Sequence, residues 1–241
     1  MRFSPYHPKN CITPHMALNN HNIGHRARLK ERILKATQGN IADYELLESI
    51  LHLSIPRRDT KPLAKELIAY YGSFGKVIYA SEDSLSQFKG IGNSTLAVFR
   101  IIQESVSRLT KEEIINKPII SCWKSLLDYC RSTMGHSSNE QFRVLYLDNN
   151  NALIADELQD NGTVNHVAVY PREIAKAALN HGAVAMILVH NHPSGNTKPS
   201  NADIELTKHI AQTANLLGIS VHDHIIISSS SHYSFKAHGL L

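Results

Sequence analysis

His190 and His192, with only Asn191 between them, are the side chains of this chain best placed to do chemistry together. Ser200 and Asp203 follow, so the stretch reads H-x-H-x7-S-x2-D. Two neutral imidazoles and one carboxylate make a three-ligand set with a fourth position open for water, the arrangement of catalytic zinc. That chemistry needs elements to hold the ligands. The apolar, β-branched run Val184-Ala-Met-Ile-Leu-Val189 predicts a buried strand ending at the histidines. Residues two apart on an extended chain point to the same side, so both imidazoles can face one ion. Asp203 opens a segment, residues 202–217, where Leu206, Ile210, Ala214 and Leu217 recur at helical spacing. A carboxylate in the first turn of that helix can reach back to the same ion. Ser200 and Asp203 also fit the [ST]-x-x-[DE] signature of a helix start, and capping and catalysis are compatible in one serine.

A longer set of strings surrounds this core. Upstream stands Gly162-Thr-Val-Asn-His-Val-Ala-Val-Tyr-Pro-Arg-Glu-Ile174, and downstream Asp223-His224-Ile-Ile-Ile-Ser228. Together with His190-Asn-His-Pro-Ser-Gly195 they resemble the RadC branch of the JAMM-motif, MPN-type metalloproteases, over roughly Gly24 to Phe235. The resemblance implies zinc on His190, His192 and Asp203. It implies that Glu140, opening Glu140-Gln-Phe-Arg-Val-Leu-Tyr-Leu147, is the acid–base residue serving the activated water. Ser200 would donate to the developing oxyanion, and the reaction would be hydrolysis of a peptide or isopeptide bond. Thr163, Arg172 and Glu173 match further motifs of the family and are expected to brace turns and loops. His224 is expected to be a structural histidine outside the ligand set. One departure concerns the end: the family usually has glycine and then acidic residues, whereas this chain reads Ser228-Ser-Ser-Ser231 and Lys236-Ala-His-Gly239. That leaves the last strand and tail open.

Other metal chemistries fail on residues. The zincin H-E-x-x-H is absent. A zinc deaminase needs H-x-E with a later P-C-x-x-C, and Cys11, Cys122 and Cys130 are all remote from the histidines. The letters HNH at 190–192 do not make a nuclease, which spreads those residues over a whole ββα unit.

With 241 residues and 42% hydrophobic content the chain can bury a real core. Three cysteines without C-x-x-C spacing suggest a reducing compartment. The first ten residues have no apolar signal region, and no run approaches a membrane span. A cytoplasmic location and no membrane partner are therefore expected. The charge is uneven: residues 1–117 hold 17 Lys and Arg against 11 Asp and Glu, residues 118–241 hold 8 against 10. A basic N-terminal part suits a polyanionic partner such as DNA, although a solvated helical surface gives the same imbalance.

The chain divides by pattern. Residues 1–23 read as a flexible lead, 24–110 as a helical domain, 111–119 as a linker with Pro118 as helix stop, and 120–241 as the domain bearing the histidines. In the helical part, patterns at 43–53 and 62–71 precede two short helices flanking Lys89-Gly90-Ile91-Gly92. This G-I-G turn resembles a helix-hairpin-helix module, whose glycines and helix-start N–H groups can hold a DNA phosphate, with Lys89 adding charge. A tight helix–helix turn capped by glycine is the alternative. Beyond residue 120 the patterns give a helix at Ser121–Met134, strands at Gln141–Leu147 and Ala152–Leu158, a helix at Tyr170–Asn180 and a strand at Ile219–Ile227. The expected fold is α+β: a small all-α domain, then an α/β MPN/JAMM domain of cytidine-deaminase-like type, its mixed sheet packed by helices. Two functions stand side by side. One is a zinc-dependent hydrolase with the helices as targeting module; the other is a DNA-associated repair accessory protein with a structural or vestigial metal site.

Overall fold

In the computed structural model, residues 24–37, 39–161 and 169–241 are described. The lead at 1–23, Thr163 and His166 lie outside the described residues. Among the described residues six helices form the first part: α1 (His25–Lys35), α2 (Asp43–Ser54), α3 (Lys61–Tyr71), α4 (Phe74–Ile78), α5 (Glu82–Ser86) and α6 (Asn93–Glu112). Leu47, Leu51, Leu67, Val77, Leu85 and Phe99 are the core shared by α2 to α6. Serines start the two shortest helices: Ser73 Oγ accepts from Lys76 N and Ser81 Oγ from Ser84 N, one satisfied donor for each otherwise open helix end. The expectation of two short helices around the G-I-G turn is half right. α5 has five residues, but α6 has 20, and its last turns contact the second part.

That meeting is direct. Thr110 Oγ lies 2.9 Å from Ser132 Oγ, and Tyr79 donates its hydroxyl to the Ser132 carbonyl at 3.2 Å. Beyond α6, Ile114 is fully buried in the core of the sheet that follows. Ile115 and Pro118 make bridges to Leu153 and Ala152.

The second part opens with a 3-10 turn, Ile119–Cys122, and α7 (Trp123–Met134). Pro118 delays the regular helix to Trp123, two residues later than the sequence pattern suggests. Then come β1 (Gln141–Leu147), β2 (Leu153–Asn161), α8 (Pro171–His181), β3 (Ala185–Asn191), α9 (Asn201–Asn215), β4 (Ser220–Ile227) and β5 (His232–Ser234). The sheet order is β2-β1-β3-β4-β5. β3 and β4 run parallel and the other pairs antiparallel, so the sheet is mixed and the fold is α+β as expected.

Alternation along the strands divides the core. Leu145, Ile187, Val189 and Ile225 face α7 through Leu126, Cys130 and Met134. Val144, Tyr146, Met186 and Leu188 face α8 and α9 through Ile174, Ala178, Ile210 and Ala214. On the α7 side, Arg143 also pairs with Asp156 at 2.6 Å, and Tyr129 donates its hydroxyl to the same carboxylate. The serine-rich end is ordered: Ser228 N donates to the Ser231 carbonyl and closes the turn into β5. Asp223, buried behind it, accepts from Ser234 Oγ and from the backbone N–H of Lys236 and His224. A carboxylate with three donors is what holds the tail to the sheet.

Candidate metal centre

His190 is the next-to-last residue of β3 and points to the α8/α9 side of the sheet, where it is buried. Its Nε2 lies 3.0 Å from His192 Nε2 and 3.4 Å from Asp203 Oδ1. His192 Nε2 lies 3.7 Å from Asp203 Oδ2. One ligand atom from each of the three residues falls within 4.8 Å of the others, an arrangement found nowhere else among the described residues.

Local structure aims each group. His192 N donates to the Ile227 carbonyl at 3.0 Å, extending the strand edge by one residue. Gly195 then turns the chain at φ +83°, a left-handed conformation that favours glycine. The turn brings the Asn196 carbonyl to 2.6 Å from His192 Nδ1. A carbonyl only accepts, so Nδ1 carries the proton and Nε2 faces the other two ligands. At the start of α9, Ser200 Oγ accepts from Asp203 N at 3.1 Å while Asp203 Oδ2 accepts from Ser200 N at 2.7 Å. This capping box satisfies helix-start donors and fixes the carboxylate, leaving Oδ1 toward His190. The Ser200 hydroxyl hydrogen also lies on Asp203 Oδ2, at 2.7 Å. Ser200 is thus a cap first, as its spacing allowed.

The electrostatics follow from burial and contact. Burial pushes the His190 pKa down to about 4, with Asp203 opposing and His192 reinforcing. His192 is raised, chiefly by the Asp203 carboxylate 3.7 Å away, against the effect of burial. For Asp203 burial alone would raise the pKa. The nearby His192 and His190 imidazoles and the two bonds from Ser200 outweigh it, and the carboxyl sits well below the usual carboxylate range. Two imidazole nitrogens and one anionic oxygen around a point fit a zinc ion by donor type and number, with a direction left open to solvent.

That direction is a cleft of about 660 Å³, lined by Glu140, Phe142, Val169, His192, Ser200 and Leu206 among others. Glu140 stands one residue before β1. Phe142 pairs with His190 across the antiparallel β1–β3 ladder, and the same register carried two residues further puts Glu140 abreast of His192. The structure therefore brings Glu140, His190, His192, Ser200 and Asp203 to one cleft.

Residues 120–240 match the RadC-like JAB domain. A UPF0758 protein of Ruegeria pomeroyi is 48% identical over 217 residues, covering 90% of this chain and 97% of that protein. A UPF0758 protein of Rhodobacter capsulatus is 47% identical over 213 residues, 88% of this chain and 100% of that protein. The chain belongs to the RadC family. All five cleft residues lie inside the matched domain, which carries the fold of JAMM-type metal-dependent hydrolases.

The reading of the sequence left His224 outside the ligand set, as it is, but missed its contact with a ligand, and it missed Asn191 altogether. His224 lies outside the three ligands but touches one of them, with its Nε2 2.7 Å from His190 Nδ1. Asn191, fully buried, points to the other face of the sheet. Its Oδ1 accepts from Gln141 N at 2.8 Å and its Nδ2 donates to the Asn139 carbonyl at 3.0 Å. The period-two rule already sends the residue between two inward histidines to the opposite face. A buried amide there must find partners.

The G-I-G turn is separate from this cleft. Gly90 has φ +112°, and a Cβ there would stand 2.7 Å from Arg58 Nη1. Gly92 caps α6, its carbonyl accepting from Thr95 N and Leu96 N. Lys89 is exposed beside them, and Arg58 is a second cation at the turn that the sequence reading missed. Arg172 and Glu173, at the start of α8, pair with each other at 3.2 Å. Among the described residues no helix is long and apolar enough to cross a membrane.

Proposed function

We propose that this RadC-family chain is a zinc-dependent, cytoplasmic hydrolase of peptide or isopeptide bonds. The observation that carries this is the convergence of His190, His192 and Asp203 at the floor of a cleft whose wall carries Glu140. Those three side chains would hold zinc, which would supply Lewis acidity and a water with its pKa lowered toward ~7. Glu140 accepts a proton from the attacking water at its carboxylate and returns it to the leaving amine. Ser200 holds Asp203 in place, and its hydroxyl becomes the donor to the developing oxyanion when it turns off Oδ2; the Ser200 N–H bond keeps the carboxylate oriented meanwhile. Phe142, Val169 and Leu206 give the cleft an apolar wall, which screens the reacting carbonyl from bulk water and accepts an apolar part of the substrate.

The helical part is proposed to target the enzyme, with DNA as the partner. Lys89, Gly90 and Gly92 would hold a phosphate at the start of α6 with Arg58 beside them. Such binding would be strongly salt-dependent and weak in sequence preference.

The test is hydrolysis of peptide and isopeptide libraries by zinc-loaded wild type and Glu140→Gln. The isosteric variant should keep zinc and fold and lose about 10²–10⁴ in rate. Full activity in Glu140→Gln would remove Glu140 from its role. No wild-type hydrolysis, with robust salt-dependent DNA binding by the full chain, would favour the accessory-protein function.

A further inference from the structure

We propose that His224 and Thr207 form a positioning pair that fixes the side-chain proton of His190 on Nδ1 and so turns the Nε2 lone pair toward His192 and Asp203. The inference rests on the metal-binding reading above and adds two residues to it.

The proton positions follow link by link from groups that have no choice. Thr207 Oγ lies 2.5 Å from the backbone carbonyl of Asp203, one turn earlier on α9. A carbonyl only accepts, so the threonine hydrogen goes there. The same Oγ is 2.6 Å from His224 Nδ1. Only lone pairs remain on that side of the hydroxyl, so Nδ1 of His224 must carry a hydrogen. His224 is fully buried, and its two nitrogens go to Thr207 and His190, neither of them an anion. A cation there would be buried without compensation, so the ring is neutral. Its Nε2 is then a bare lone pair, 2.7 Å from His190 Nδ1. His190 must donate across that gap, and its own Nε2 is left free on the ligand side.

Packing locks the pair. The His224 ring stacks on Phe235 at 4.6 Å between centroids and meets the edge of Phe142 at 5.5 Å. Rotation of the ring would collide with one or the other. The far end of the relay is also tied to the site: α9 carries Asp203 in its first turn and Thr207 in its second, so one helix sets both a ligand and the proton of another. Partners of this kind fix the tautomer of a ligating imidazole, and losing one typically costs about 10–100-fold in metal affinity.

The test has two arms. In metal-free wild type, ¹⁵N NMR of the His190 ring, assigned with His190→Ala, should find the proton on Nδ1 and a bare Nε2. Zinc affinity, measured by chelator competition, should fall about 10–100-fold in His224→Phe, which keeps the stacking and removes the acceptor. His224→Gln, whose amide can accept and donate, should recover part of the loss. Thr207→Val should lose less than His224→Phe. A His190 proton on Nε2 would overturn the proposal, and so would wild-type zinc affinity in both His224→Phe and Thr207→Val. If His224→Phe fails to fold, the wild-type spectrum and Thr207→Val decide. A proton on Nδ1 in a wild type that takes no zinc would uphold the pair and bring down the metal reading instead.

Discussion

The side-chain oxygen of Asn191 accepts the backbone N–H of Gln141 at 2.8 Å, tying the strand that ends in the histidines to the segment that carries Glu140. Its amide nitrogen reaches the Asn139 carbonyl at 3.0 Å, so the backbone is pinned on both sides of Glu140. Asn191→Ala removes both side-chain bonds to the part-buried backbone around Glu140 and empties a buried polar site. It should cost about 1–3 kcal/mol, read by urea denaturation of the metal-free protein. Asn191→Asp keeps the bond to Gln141 and sets a carboxylate against a carbonyl, so it should also destabilise. A change under about 0.5 kcal/mol in both would show that the clamp carries little energy.

Ser200→Ala removes the cap of α9 and one of the two bonds that Ser200 makes to Asp203 Oδ2. About 1 kcal/mol of stability should go with the cap, and zinc should bind less tightly because the carboxylate is less fixed. Ser200→Thr keeps a capping hydroxyl and should restore most of both. Thermal melts with and without zinc separate the two effects.

Stability of the metal-free protein should fall as pH drops from about 6.5 toward 4. Burial depresses His190 to about 4 and His224 well below its ordinary value. Between an unfolded pKa of about 6.5 and those lower folded values, the unfolded chain binds protons that the folded one refuses. Each such group gives a slope of about 1.4 kcal/mol per pH unit in that window. His192 is shifted the other way; its contribution is full below about 6.5 and fades as pH rises through its folded pKa. Asp203 adds a loss only below about 3.9, where its unfolded carboxyl begins to take a proton. Denaturation curves at pH 6.5, 5.5 and 4.5 check the sign. Stability that rises on acidification through this range would contradict it.

Much of this was legible in the residues, for identifiable reasons. The apolar run before His190 and the period of two fixed a strand end with both histidines on one side, and the Ser200–Asp203 spacing marked the start of α9. Contacts that depend on strand order were not legible. His224 meets His190 only because β4 lies parallel to β3, and nothing in the local pattern near His224 states that pairing. The length of α6 was underestimated because its last turns are held by contact with α7, as at Thr110 and Ser132, rather than by the local turn.

Asp156 gives a test of the sheet away from the cleft. It is almost wholly buried and pairs with Arg143 at 2.6 Å while accepting from Tyr129. Asp156→Ala strands the guanidinium in the interior and should cost about 3–5 kcal/mol. Replacing both partners with apolar residues, Arg143→Met with Asp156→Leu, should cost less than the single change. The reverse ranking in denaturant midpoints would mean that the pair stabilises more than its burial costs.

Metal content of the purified chain is the measurement that bears most directly on the site. Elemental analysis with X-ray absorption should find about one zinc per chain, held by nitrogen and oxygen ligands at ~2.0–2.2 Å. His190→Ala and His192→Ala should each lose it while Glu140→Gln retains it. A wild-type protein that refuses added zinc, or one whose zinc is held by sulfur, would contradict the assignment of His190, His192 and Asp203.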